Sequence, residues 1–171
     1  FPPNRSVKAP LDIQLFQRSD IRETLEFLSE FQKQCSLHRV FSEAELLHRF
    51  LFSQDDVHGI ALLMRKAGRL RGLFFGFTNP VGTKGTCYAQ IDGLVFHPDL
   101  TYAEKRRLLA SCEAEILERW GCFSAVVPET VTTENLLKYG YIPFVNQTLG
   151  ANFYTDTVSP EDIKNSFVEL R

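Results

Sequence analysis

Long apolar runs, metal-ligand spacings and an excess of either charge are all missing from this 171-residue chain. No apolar stretch approaches the roughly 20 residues that a helix needs to cross a bilayer, and no signal peptide is visible. The sequence therefore reads as cytoplasmic, with no membrane partner. The four cysteines (Cys35, Cys87, Cys112, Cys122) include no CxxC, and the four histidines (His38, His48, His58, His97) no HxxxH. Neither a metal site nor a disulfide framework is signalled, and free, buried thiols in a reducing compartment are expected. A net charge of −2 gives no bulk attraction to nucleic acid. The basic stretches at 65–71 and 105–107 are too little to change that. The first residue is Phe rather than Met, which is read as a fragment or a processed product.

One Met and one Trp stand against 15 Phe, which points to an aromatic-rich core. Hydrophobic content of 44% and charged content of 23% are ordinary for a globular domain, and a chain of this length buries a core without staples. Residues 1–11 carry three prolines and read as an extended arm. Residues 12–171 read as one domain.

Residues 12–17 alternate polar and apolar, which predicts a short strand with Ile13 and Leu15 inward. Asp20 with Glu23 has capping-box spacing before Ile21, Leu25 and Leu28 at helical period. Ser42 with Glu45 opens a second helix through Leu46, Leu47 and Phe50. The apolar runs 59–66 and 70–78, separated by Ala67-Gly68-Arg69, predict a hairpin of buried strands. A loop is expected at 79–85 and a third strand over 86–97, closed by Pro98-Asp99. A long amphipathic helix is predicted from Tyr102 to Trp120, with Leu108, Leu109, Cys112, Ile116 and Leu117 on one face and Gly121 as its stop. A buried strand at 123–127, a short helix at 130–139, strands at 141–145 and 152–155 and a tail helix at 159–171 complete the reading. Three antiparallel strands followed by β-α-β crossovers imply an α/β fold, a mixed but mostly antiparallel sheet with helices on both faces.

The stretch Ala89–Glu115, AQIDGLVFHPDLTYAEKRRLLASCEAE, resembles the central motif of the GNAT (N-acetyltransferase) superfamily. There a strand ending near a His-Pro pair runs through a loop into a long helix. The Lys138-Tyr139-Gly140-Tyr141 segment resembles the family's short helix ending in a Gly-aromatic pair, and the element order matches over nearly the whole chain. The resemblance implies an N-acyltransferase using acyl-coenzyme A, or the phosphopantetheine of a carrier protein, with a small-molecule or peptide amine as acceptor.

Two family features are missing. The usual phosphate loop, Arg/Gln-x-x-Gly-x-Gly/Ala, lets backbone N–H groups and a helix N-terminus face a diphosphate. Residues 99–107, DLTYAEKRR, hold no glycine, and Thr101 with Glu104 instead forms a capping box that uses up some of those donors. Glu104 also brings a like charge toward a phosphate. Lys105, Arg106 and Arg107 offer side chains in place of backbone, or simply form a solvated basic turn. The family's general-acid Tyr, four residues before the glycine, is Leu136 here, and Tyr139 is expected to face the core.

Other features are retained. Asp92 lies on the strand where the family often carries an acid. By period two it shares a face with Gln90 and Leu94. A carboxylate in so apolar a strand is either a base at the cleft or one half of an ion pair with an Arg. His97 is a weaker candidate base, or a turn residue before Pro98. Gly93 marks a bulge or a close approach. The resemblance implies that the backbone of Leu94, Val95 and Phe96 bonds the pantetheine arm. Cys87 and Cys112 as nucleophiles lack an identifiable base.

An acyltransferase with a modified phosphate loop is thus one reading. The other is a catalytically degenerate GNAT-like domain serving as a protein-interaction or homodimerisation module, with the Phe-rich segments 50–52 and 73–77 either core or partner surface.

Overall fold

The two densest apolar runs become the inner strands of the sheet. The computed structural model describes residues 10–33, 40–81, 87–127, 132 and 134–141. Strands β3 (Val57–Lys66) and β4 (Arg69–Pro80) pair antiparallel as a hairpin. Its two turn residues, Ala67 and Gly68, both have positive φ, 51° and 75°. That is the turn handedness whose twist matches the flanking strands.

Strand β1 (Leu11–Leu15) lies antiparallel on one side of β3, and β2 (Ser53–Gln54) pairs with the start of β3. Strand β5 (Cys87–Phe96) lies antiparallel to β4, and β6 (Cys122–Val126) runs parallel to β5. The order across the sheet is β1-β3-β4-β5-β6. A parallel neighbour requires a crossover, and helix α3 (Tyr102–Trp120), closed by Gly121, supplies it. The predicted hairpin, third strand and long helix all form.

Helices cover both faces, which explains why β3 and β4 read as continuous apolar runs rather than alternating ones. On one face, α1 (Ile21–Gln32) and α2 (Glu43–Phe50) pack Phe27, Leu28, Phe31, Leu46 and Phe50 against Leu63, Leu73, Phe75 and Val95. On the other, Leu108, Leu109, Cys112 and Ile116 of α3 pack against Leu62, Phe74, Ile91, Leu94 and Phe96. Each such side chain contributes on the order of 1.5–3 kcal/mol by leaving water. The aromatic excess lies largely here: Phe74 and Phe75 are fully buried, and Phe50 packs edge-on to Phe16, 5.0 Å between centroids. In the Phe-rich segments only Leu51 is exposed, so these runs are core rather than partner surface.

Three local expectations change. Asp20 and Glu23 do not form a capping box. A 3-10 turn over Arg18–Asp20 precedes α1, and the Asp20 carboxylate accepts from Gln17 N–H at 2.8 Å. Glu23 goes instead to Arg65, a buried guanidinium inside β3, which also donates to Gln14 and reaches Asp20. Leu117 is 60% exposed rather than on the packed face. The contact stripe runs 108-112-116 with 109, and 117 is turned about 100° from 116. Near the end, a 3-10 turn over Leu136–Tyr139 stands within the expected short helix. The Ser42 cap does form, accepting from Glu45 N–H at 3.2 Å. The N-terminal arm up to residue 9, most of the loop at 79–85, and the expected strands and tail helix beyond Tyr141 lie outside the described residues. No described helix is long and apolar enough to cross a membrane.

Candidate functional site

Strand β5 carries an irregularity at the position singled out by its glycine. Phe75 is opposite Gly93 and Gly76 is opposite Ile91, so Asp92 is an extra residue with no partner on β4. Such a bulge bends the strand and re-aims a side chain. Period two therefore fails here. Gln90 keeps the expected face, but Leu94 joins the α3-side core, while Asp92 reaches α2 on the opposite face. The close approach expected at Gly93 is also present: a Cβ there would lie 2.0 Å from Cε1 of Phe75.

Asp92 is 4% exposed, and its Oδ2 lies 3.3 Å from Nη1 of Arg49. The guanidinium of Arg49 also lies over Phe77, 5.5 Å from the ring centroid, where a cation is favoured. The Arg partner expected in one of the two arrangements for Asp92 is thus Arg49. A buried carboxylate needs such a partner to offset its lost hydration.

On its other side β5 pairs with β6, among the described residues, at Cys87, Ala89 and Gln90. Beyond Gln90, β5 continues to Phe96 with no further β6 pairing among the described residues. Leu94, Val95 and Phe96, buried in side chain, occupy this stretch. The last described β6 pairing thus falls next to the bulge.

The end of β5 leads to the start of α3. Thr101 and Glu104 form the expected reciprocal box. Thr101 Oγ1 accepts from Glu104 N–H at 3.3 Å, and Glu104 Oε2 accepts from Thr101 N–H at 2.9 Å. Lys66 binds the Glu104 carboxylate at 3.0 Å. The Thr101 amide bond, with the Lys66 ammonium behind it, lowers the Glu104 pKa from its ordinary value. The carboxylate that sequence placed against a phosphate is thus already balanced by a cation that sequence reading did not connect to it.

The basic turn divides in two. Lys105 is ion-paired to Glu134 and lies over the Phe96 ring, 5.5 Å from its centroid. Arg106 and Arg107 are exposed and make no ion pair with any described residue. Glu134 also accepts from Tyr139 Oη at 2.8 Å. Tyr139 stacks against Tyr102, and Tyr102 Oη donates to the Lys138 carbonyl. Burial, and then the bond to Glu134, push the Tyr139 pKa upward. Its hydroxyl is committed to Glu134, and its ring packs on the core as expected. Leu136 is buried beside it.

His97 behaves as a turn residue. Its N–H donates to the Arg71 carbonyl at 2.7 Å, and its carbonyl accepts from Leu100 N–H. Nδ1 lies 2.8 Å from the Asp99 carboxylate, which Arg71 also binds at 2.9 Å. Arg71 is itself the extra residue of a second bulge, opposite Met64 and Arg65.

The structure thus gathers Leu94–Phe96, Thr101 and Lys105 around one strand end, and sets Asp92 on the α2 face of the same strand. Arg49, Lys66, Glu134 and Tyr102 were not found from sequence. Each meets its partner across at least 29 residues, and no local spacing announces that.

No family model and no curated protein matches the sequence. Solved structures do match in three dimensions. A ribosomal-protein-alanine N-acetyltransferase from Brucella melitensis biovar Abortus 2308 aligns over 84% of this chain and 100% of its own, with TM-score 0.59 and 18% identity. A GNAT family acetyltransferase from Staphylococcus aureus aligns over 83% and 98%, with TM-score 0.57 and 20% identity. An aminoglycoside acetyltransferase from an uncultured soil metagenomic sample, in complex with sisomicin, aligns over 85% and 95%, with TM-score 0.58 and 12% identity. The mixed sheet with its α3 crossover has the same fold as these GNAT N-acetyltransferases.

Proposed function

We propose that this chain is an N-acyltransferase that takes its acyl group from a thioester of coenzyme A, or of a carrier protein's phosphopantetheine, and passes it to an amine. The observation that supports this best is the bulge in β5 that carries a buried carboxylate, set beside the last described pairing of β5 with β6 at Gln90. The β5 backbone beyond the last described β6 pairing would hydrogen-bond an extended amide arm as an added strand does. Bound there, the thioester supplies an activated acyl group. Leu94, Val95 and Phe96 would hold the arm through their backbone. Arg106 and Arg107 are exposed cations that reach out from the start of α3 toward phosphate, with Thr101 beside them.

Asp92 is the proposed proton acceptor. An amine attacks only as the free base, so its ammonium proton must leave, and a carboxylate within reach takes it. Arg49 positions Asp92 and balances its charge once the proton has moved on. His97, held between Asp99 and the turn, is the weaker candidate. The acceptor, a small-molecule or peptide amine, would approach from the α2 face, where Asp92 and Arg49 lie.

A second reading is favoured by one observation. The start of α3 is capped by its own Thr101 and Glu104, and Lys105 is held by Glu134, so several groups that would meet a diphosphate are already engaged. A repurposed GNAT-like fold acting as a binding module or homodimer has the same arrangement.

Calorimetry and thermal shifts with coenzyme A, acetyl-coenzyme A and longer acyl thioesters separate the two readings. A thioester at 100 times its Kd raises stability by about 2.7 kcal/mol, on the order of 5–10 °C for a domain of this size. Binding with an acyl-chain preference supports the transferase. The absence of binding at millimolar concentration favours the repurposed fold. Given turnover, Asp92→Asn is expected to lower kcat by about 10²-fold or more while leaving thioester affinity nearly intact. Equal kcat in the variant would remove Asp92 from the chemistry.

A further inference from the structure

The chain's thiols are not all alike. Cys112 is fully buried in α3 with no sulfur neighbour among the described residues, whereas Cys87 and Cys122 face each other across the only parallel pairing of the described sheet. They are register partners, each the first residue of its strand, and their Sγ atoms lie 2.8 Å apart. Adjacent strands run about 4.8 Å apart, inside the 4.4–6.8 Å Cα window of a disulfide. Bond formation at about 2.05 Å needs the sulfurs to close by less than 1 Å. Both side chains point into the same α3-side core, so neither strand must rotate. Both are free thiols, and Cys87 Sγ also lies 3.2 Å from the Trp120 carbonyl.

We propose that Cys87 and Cys122 are a thiol–disulfide exchange site, at which a small disulfide such as oxidised glutathione converts the pair to an intramolecular disulfide clasping β5 to β6. The Cys87 sulfur, the less buried of the two at 8% against 3%, attacks one sulfur of the small disulfide and releases one small thiol. The Cys122 sulfur then attacks Cys87 Sγ and releases the second. The two cysteine protons end on the two released thiols. The protein loses two hydrogens and the small disulfide is reduced to two thiols, so atoms and electrons balance. Burial, and then the Cys87 neighbour, push the Cys122 thiol up to about 12. The second step is therefore slow at neutral pH and accelerates with rising pH. Access comes from opening at the first residue of each strand, where local unfolding costs least. The clasp would fix the described pairing of β5 and β6 at its start.

The test uses the whole folded chain with Cys35 replaced by Ser, so that a thiol outside the described residues cannot intervene. The protein is held in glutathione buffers of graded redox ratio, quenched in acid, alkylated and mapped by mass spectrometry. The expected result is a Cys87–Cys122 cross-linked peptide, about 2 Da lighter than the dithiol form, with Cys112 alkylated only after unfolding. The oxidised form should melt on the order of 10 °C higher. Cys87→Ser and Cys122→Ser should each abolish the product, and Cys87→Ala serves if the serine variant folds poorly. A cross-link that forms only at denaturant concentrations unfolding the chain would overturn the proposal. So would a Cys87–glutathione adduct that never resolves.

Discussion

Replacing Gly93 by Ala places a methyl group where there is no room for one. The new Cβ would lie 2.0 and 2.2 Å from Cε1 and Cζ of Phe75, against a favourable carbon–carbon separation of about 3.5–4.0 Å. The ring must move by about 1.5 Å, the difference between those distances. Phe75 is 1% exposed and held by Phe41 and Phe50, whose centroids lie 6.3 and 5.2 Å away, so it has little space to do so. Overpacking of this kind costs about 1–3 kcal/mol. The backbone restriction gained from Ala returns about 0.5–1 kcal/mol. A net loss of about 1 kcal/mol is expected, read in urea as a lower midpoint at unchanged slope. Phe75→Leu alone should cost about 1–2 kcal/mol by leaving a cavity. In the double variant the smaller side chain makes room for the methyl, so the two losses should fall short of their sum by about 1 kcal/mol or more. A near-neutral Gly93→Ala, or strict additivity in the double variant, would refute the claim that this glycine exists to admit the Phe75 ring.

Three further outcomes follow from the ion pairs and caps. Thr101→Ala removes the side-chain acceptor at the start of α3 and should cost about 1 kcal/mol, read by thermal or urea unfolding; Thr101→Ser should recover most of it. Arg65 is 9% exposed and answers two carboxylates and Gln14, so Arg65→Ala should cost about 1–3 kcal/mol, chiefly by leaving Asp20 and Gln14 without their donor while the half-exposed Glu23 regains water, read by urea unfolding. The bond from Arg65 lowers the Glu23 pKa. The stability that Glu23 contributes is therefore complete above its unfolded value, about 4.3, and is lost as pH falls through its lowered folded value. Glu23→Gln should be less stable than the parent at pH 7 and converge with it in acid. Parallel stability curves through that range would dismiss the linkage.

How much of this was legible in the sequence depends on the distance over which each feature is decided. The Thr101–Glu104 box was legible because both partners sit within one helical turn, and it formed as read. The same pattern at Asp20 and Glu23 failed, since Arg65, more than 40 residues away, outcompetes the local amide for Glu23. Capping boxes are cheap local bonds, and a buried guanidinium that needs two carboxylates overrides them. Two-sided burial of the hairpin was legible as unbroken apolar runs. The face of Leu94 was not, because a bulge shifts phase by one residue and flips everything beyond it. Gly93 announced that something irregular would happen there, but a glycine alone does not say whether a ring, a ligand or another strand fills the space.

The same distinction explains why the fold was easier to read than the chemistry. Element order comes from periodicity spread over many residues, so one error changes little. A site comes from a few pairs, and Asp92 with Arg49 are 43 residues apart on different elements. Sequence could require that a carboxylate in so apolar a strand have a cation or a catalytic task. It could not choose the cation, because α2 offers Arg49 only after Leu46 and Phe50 have docked the helix on the sheet. Having that cation does not remove the task. An ion pair at this bulge suits a proton acceptor that must be charged at rest, and suits a structural clamp equally well in static geometry. The two separate only in turnover, since Asp92→Asn keeps the shape and the hydrogen-bond acceptor while removing the charge and the basicity. Stability reports on the clamp, and kcat at unchanged thioester affinity reports on the base.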